Sequence, residues 1–102
     1  MKVETRKEFV YVLYRNVGNK YSKTEGAAWE YLGQFDEKND IYHFLYSQLS
    51  AEDRGFIDKK IELKYSEESI RKEAIALYKS TFASETYECK LRILIQEVVE
   101  EL

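Results

Sequence analysis

Apolar side chains along this chain recur mostly three and four positions apart, the interval that keeps them on one face of an α-helix. Phe9, Val12, Leu13 and Val17 form the first such face, behind a Thr5–Glu8 pair at capping-box spacing and ahead of Gly18, a natural helix-ending residue. The run FVYVLY within it is also rich in strand formers, which leaves room for a short hairpin near residues 9–21. Ser22 or Thr24 then caps a second helix, with Ala27, Ala28, Tyr31, Leu32 and Phe35 on its inner face. Asp40 caps a third, carrying Ile41, Phe44, Leu45 and Leu49. Ser50 with Asp53 opens a fourth, built on Phe56, Ile57, Ile61 and Leu63, and Ser66 opens a fifth, with Ile70, Ala74, Leu77 and Tyr78 inward. Ser84 opens a long last helix, SETYECKLRILIQEVVEEL, whose Leu91, Leu94, Ile95, Val98 and Leu102 repeat at helical spacing. The expected fold is all-α: one compact helical domain over 1–102, more than half helical.

Composition supports the same expectation. The chain has 102 residues, of which 44% are hydrophobic, enough for one domain with one core. Proline is absent, glycine numbers four and 34% of residues are charged, a mix that favours long helices over a turn-rich sandwich or barrel. The single cysteine, Cys89, excludes an intramolecular disulfide framework and a cysteine-based zinc site. The single histidine, His43, excludes any triad or metal cluster that needs two imidazoles. The opening MKVETRKEFVYVLY carries charges up to Glu8 and too few apolar residues for a membrane span, so a cytoplasmic protein with no membrane partner is expected.

Net charge is −3, unevenly spread. Residues 1–22 hold five basic and two acidic side chains, whereas 23–40 and 83–102 each hold two basic and five acidic ones. A pI near 5.3 counts against non-specific DNA binding but allows a small cationic patch. Catalytic chemistry finds no constellation. His43 sits between Tyr42 and Phe44 with no nucleophile indicated, and Cys89 reads as a packing residue. The pairs Glu52-Asp53, Glu67-Glu68 and Glu100-Glu101 are sequence neighbours, about 100° apart on a helix, so they do not converge on a substrate. No enzyme activity, metal or cofactor is expected.

The last half has an ordered rhythm of LSAEDRGFIDKKI, then EESIRKEAIALYK, then the turn STFAS, then ETYECKLRILIQ. This order resembles the helix-turn-helix of sigma-factor region four. Together with Ser22-Lys23-Thr24-Glu25, Ala28 and Tyr31-Leu32, the segment from Ser50 to Ile57, and Ser84 ahead of the last helix, it resembles the RinA and ArpU group of phage late-gene transcriptional regulators. The resemblance covers residues 21–102. It implies a helix-turn-helix-like half over 50–102 whose third helix lies in the major groove of double-stranded DNA, with host RNA polymerase as the protein partner. The DNA-binding residues it implies are Arg71, Lys72, Lys79, Ser84, Thr86, Tyr87, Lys90 and Arg92.

Each of these residues also has a plain structural reading. Lys90 and Arg92 stand beside Glu85, Glu88 and Glu97 as solvated charges, Ser84 as a cap, and Tyr87 as a rim tyrosine. The acidic last segment favours a second function: a small helical protein-binding module, an inhibitor or polymerase adaptor, that makes no DNA contact. Apolar residues on more than one face of that segment also predict a homo-oligomer or a covering partner.

Overall fold

The computed structural model describes residues 9–22, 28–95 and 98–102. Strand alternation, not helical spacing, governs both ends of the described chain. In β1 (Tyr11–Asn19) Tyr11 and Leu13 are buried, while Val12 and Tyr14 point to the opposite face of the sheet. A second strand, β2 (Glu30–Phe35), folds back on β1. Three helices follow: α1 (Lys38–Ser47), α2 (Ala51–Glu62) and α3 (Glu67–Phe82). The chain then returns as β3 (Tyr87–Ile95) and β4 (Val98–Glu101). The four strands form one antiparallel sheet in the order β2-β1-β3-β4, so the first and third strands lie side by side at its centre.

The helices pack on one face of this sheet. Leu13, Leu91 and Ile93 from the strands meet Ile41, Leu45 and Leu49 from α1 and its C-terminal end, and Ala74 and Tyr78 from α3, in one core. Only Ile57 joins that core from α2. At β2 the register slips opposite Leu13 and Tyr14, a bulge that turns Leu32 towards the core. Gly33 sits beside this slip, where an added Cβ would come within 3.1 Å of the Phe35 ring.

One polar side chain crosses from sheet to helices. Arg15 donates from Nη1 to the Tyr78 hydroxyl at 2.9 Å and from Nη2 to Glu30 at 2.6 Å, and its guanidinium lies 4.2 Å from the centre of the Phe82 ring. Burial disfavours its charge, but the Glu30 and Tyr78 contacts outweigh that and raise its pKa further. Tyr78 is itself pushed up by burial, against the pull of Arg15.

The all-α expectation, and with it the C-terminal helix-turn-helix, is overturned by the four-stranded sheet. The third, fourth and fifth helices are present. Ser50 accepts from the Asp53 amide and Ser66 from the Ser69 amide, both at 3.1 Å, as the spacing predicted. Asp40 is no cap, since α1 begins after Glu37 with no side-chain bond there. The first, second and last expected helices are strands. Thr5, Glu8, Thr24 and Ala27 lie outside the described residues.

The last segment was misread for a physical reason. Ser84 accepts from the amides of Thr86 and Tyr87 at 3.2 and 3.0 Å, the same local bonding that a helix N-cap makes. Its own amide, however, donates to the Tyr87 carbonyl, and the chain leaves extended. Beyond it Cys89, Leu91 and Ile93 alternate with Glu88, Lys90 and Arg92 at period two. Leu94 lies on the far side of the sheet, opposite Val99, and it completes the apparent spacing of three and four with Leu91, Ile95 and Val98.

Two measurements check this placement. Leu91→Ala should destabilise the protein by about 2–5 kcal/mol in urea titration, with Leu94→Ala costing clearly less, because only Leu91 fills the core. A helical last segment, with both leucines on its inner face, would give comparable losses. Burial also pushes the Cys89 thiol above its ordinary value of 9.0, with Arg15 and Lys79 opposing. The folded state therefore favours the neutral thiol. That contribution is full below the ordinary pKa and is lost as pH rises through it towards the folded value. Iodoacetamide at pH about 8 should label urea-unfolded protein far faster than native protein. Equal rates would place Cys89 at the surface.

Candidate docking surface on the second helix

Helix α2 is well ended but weakly anchored. Its first turn carries Glu52 and Asp53 and its last turn Lys59 and Lys60, complementing the helix dipole at both ends. It stops in a Schellman arrangement, in which the Tyr65 amide donates to the Lys60 carbonyl and the Lys64 amide to the Ile61 carbonyl. Lys64 occupies the left-handed position of that motif at φ 57°, a site where glycine is the cheap residue. The Lys60 ammonium sits 4.3 Å from the centre of the Tyr65 ring and secures the turn from outside.

Ile57, 2% exposed, is the only buried residue of α2. Two further apolar stripes flank it. On one side Ile61, 54% exposed, leans over a groove of about 290 Å³ between the three helices. Ile57, Ile70 and Ala74 line its depth, while Tyr42, His43, Tyr46, Asp58 and Arg71 stand around it. Tyr46 donates to Asp58 at 2.7 Å, a bond that raises the pKa of the phenol. Arg71 donates to Asn39 at 3.3 Å and to Glu67 at 3.4 Å, and lies 5.2 Å from the centre of the Tyr42 ring. Asn39 Nδ2 lies 3.1 Å from His43 Nε2. An apolar floor inside a polar rim is the arrangement of a protein interface.

On the other side Phe56, Lys59, Lys60 and Leu63 fall at positions i, i+3, i+4 and i+7, a stripe turned about 100° from Ile57. Phe56 is 52% exposed, Leu63 57% and Tyr65 48%. Sequence periodicity put Phe56, Ile61 and Leu63 in the core, and the structure leaves all three at the surface. The lysines interleaved between Phe56 and Leu63 were the available signal.

The residues implied for DNA binding do not gather on one surface. Arg71 stands at the groove, and Lys72 pairs with Glu68 at 3.1 Å on the same helix. Lys79 donates to the Leu102 carbonyl. Ser84 and Thr86 shape the turn into β3, where the Thr86 carbonyl accepts from the Lys20 amide. Tyr87 begins β3 opposite Asn19. Lys90 and Arg92 lie on the sheet face turned away from the helices, each with a carboxylate partner: Lys90 3.7 Å from Glu88, and Arg92 donating from Nε to Glu101 at 2.8 Å. Arg92 also lies 4.1 Å from the centre of the Trp29 ring, and Tyr14 packs edge-on against Tyr31 on that face.

Among the described residues no group of three His, Cys, Asp or Glu side chains could hold a metal, and no helix is long and apolar enough to cross a membrane. Comparison with protein-family models, curated proteins and solved structures returns no match.

The strained turn gives a direct check. Lys64→Gly should stabilise the protein by about 0.5–1 kcal/mol in thermal or urea unfolding, since glycine relieves the left-handed backbone at that position. Loss of stability instead would mean that the Lys64 side chain holds the turn.

Proposed function

We propose that this protein is a binding module that docks a partner protein on its helical side, over α2. The observation that carries the reading is the exposure of Phe56, Ile61 and Leu63 on a helix that buries only Ile57. A large aliphatic or aromatic side chain left half in water forfeits most of the roughly 1.5–3 kcal/mol that burial would return. Two of them on one twelve-residue helix and the third at its C-cap, beside a groove with an apolar floor, match an interface better than a solvated surface. The groove accepts an aliphatic or aromatic anchor against Ile57, Ile70 and Ala74, while Tyr42, Tyr46 and Arg71 offer polar contacts at its rim.

The second function expected from sequence, a protein-binding module without DNA contact, therefore receives the better support, on a mixed α/β domain in place of a helical one. Loss of the helix-turn-helix removes the geometry on which promoter recognition rested.

Site-specific photo-crosslinking tests the reading. A photoreactive phenylalanine analogue replacing Ile61 should give a defined adduct in the producing cell, and the same analogue at Glu85 should not. The purified partner should then bind the purified protein, with Kd raised at least about tenfold by Ile61→Asp, equivalent to about 1.4 kcal/mol. A partner that crosslinks equally from both positions, or binds the Ile61→Asp protein as well as wild type, would remove α2 from the interface.

A further inference from the structure

The flank of α2 opposite the groove carries a charge signature of its own. Lys59, Lys60 and Lys64 surround Phe56, Leu63 and Tyr65, and none of the three lysines has a carboxylate partner among the described residues. We infer that this flank selects an acidic protein segment bearing aliphatic or aromatic residues. The inference rests on the docking reading above and names the chemistry of the partner.

Three observations support it. Helix-dipole complementarity accounts for Lys59 and Lys60, but not for the apolar side chains that alternate with them, nor for Lys64 beyond the helix end. Lys64 holds a left-handed backbone in which glycine would be easier, and it places a cation next to Leu63 and Tyr65 in the chain. Elsewhere on the helices Arg71 stands with Glu67, Lys72 with Glu68 and Lys38 with Glu100, while Arg54 and Lys79 each donate to a backbone oxygen. Among the described residues of the helical side, Lys59, Lys60 and Lys64 have neither kind of bond, on a chain of net charge −3.

The occupant follows from what lies between the charges. A single-stranded nucleic acid would meet the lysines and stack a base on Phe56 or Tyr65, but would leave the aliphatic Leu63 uncovered. An anionic bilayer, being extended, would confront Glu52, Asp53, Asp58 and Glu62 around the same helix, whereas a short peptide need meet only the Lys59–Tyr65 end. A peptide with Asp or Glu beside Leu or Phe answers both features at once. Its carboxylates meet the ammonium groups, and its apolar side chains cover Phe56, Leu63 and Tyr65.

The test uses the full chain and a fluorescein-labelled synthetic peptide that places Leu and Phe at helical spacing among Asp and Glu residues. Saturable binding by fluorescence anisotropy is expected, weakening as salt rises, with backbone amide shifts concentrated over residues 56–65. The triple variant Lys59→Gln, Lys60→Gln, Lys64→Gln should weaken binding at least about tenfold, and so should Leu63→Ser, while circular dichroism and melting stay close to wild type. Gln retains the helix and removes, besides charge, only the exposed contact of Lys60 with the Tyr65 ring, and the melting measurement shows directly that the variant folds. The inference is overturned by no saturable binding, by unchanged affinity in the triple variant, or by tighter binding of phosphatidylserine vesicles or single-stranded oligonucleotides. Should the peptide fail while the Ile61 crosslink to a partner persists, docking over α2 stands and the acidic partner falls. Failure of both removes the docking reading with it.

Discussion

Everything in this fold depends on the pairing of β1 with β3. Nine residue pairs, from Tyr11↔Ile95 to Asn19↔Tyr87, join the beginning of the described chain to its end. Each pair spans nearly the whole domain, so the chain entropy lost in closing it must be recovered from the core that the closure creates. That core is the helix-facing side of the two strands, Leu13, Cys89, Leu91 and Ile93, against α1 and α3. Arg15 ties the same junction a second way, bonding β1 to Tyr78 on α3 and to Glu30 on β2. With the central pair in place, β2 and β4 need only add outer strands, and the three helices fit in the long connection between the hairpins.

That arrangement gives the three helices different tasks. Helices α1 and α3 cover the sheet and are fixed by several buried residues. Helix α2 sits beyond them, held by Ile57, by its caps and by the Arg54 donor to the Leu49 carbonyl. It forms because its termini are strong: Ser50 caps it, acids begin it, lysines finish it and a Schellman turn stops it. Local bonding thus supplies the helix, and tertiary packing uses little of its surface.

The legibility of the sequence follows the same division. Helices with local signals are readable, as Ser50 and Ser66 show by accepting from first-turn amides where spacing places their caps. The strands are not, because a strand is defined by partners far away in sequence. Residues 88–93 do alternate, but Leu94 on the second face completes a spacing of three and four with Leu91, Ile95 and Val98, and Ser84 imitates a helix cap. The candidate site was half legible. Sequence placed α2 and listed Phe56, Ile61 and Leu63 as apolar helix positions, yet assigned them to the core. Only the topology shows that the sheet is already covered by α1 and α3, leaving those side chains no interior to enter. Of the residues implied by the resemblance to a helix-turn-helix regulator, Arg71 alone stands at the groove.

A helix held to the core by one residue is suited to recognition. Changes to Phe56, Lys59, Lys60 or Leu63 leave the β1–β3 pairing and its core untouched, so the surface can be tuned without unfolding the domain. The sheet's free face lacks this independence. Arg92 there is bound to Glu101 on β4 and stacked on Trp29, so recruiting it means breaking contacts that join neighbouring parts of the sheet, while Lys90 stands beside Glu88 on its own strand. The lysines on the outer flank of α2 carry no such carboxylate contact, and the apolar side chains between them gain by being covered. The proposed partner would therefore sit on the helix that contributes least to the core, and not on the strands that create it.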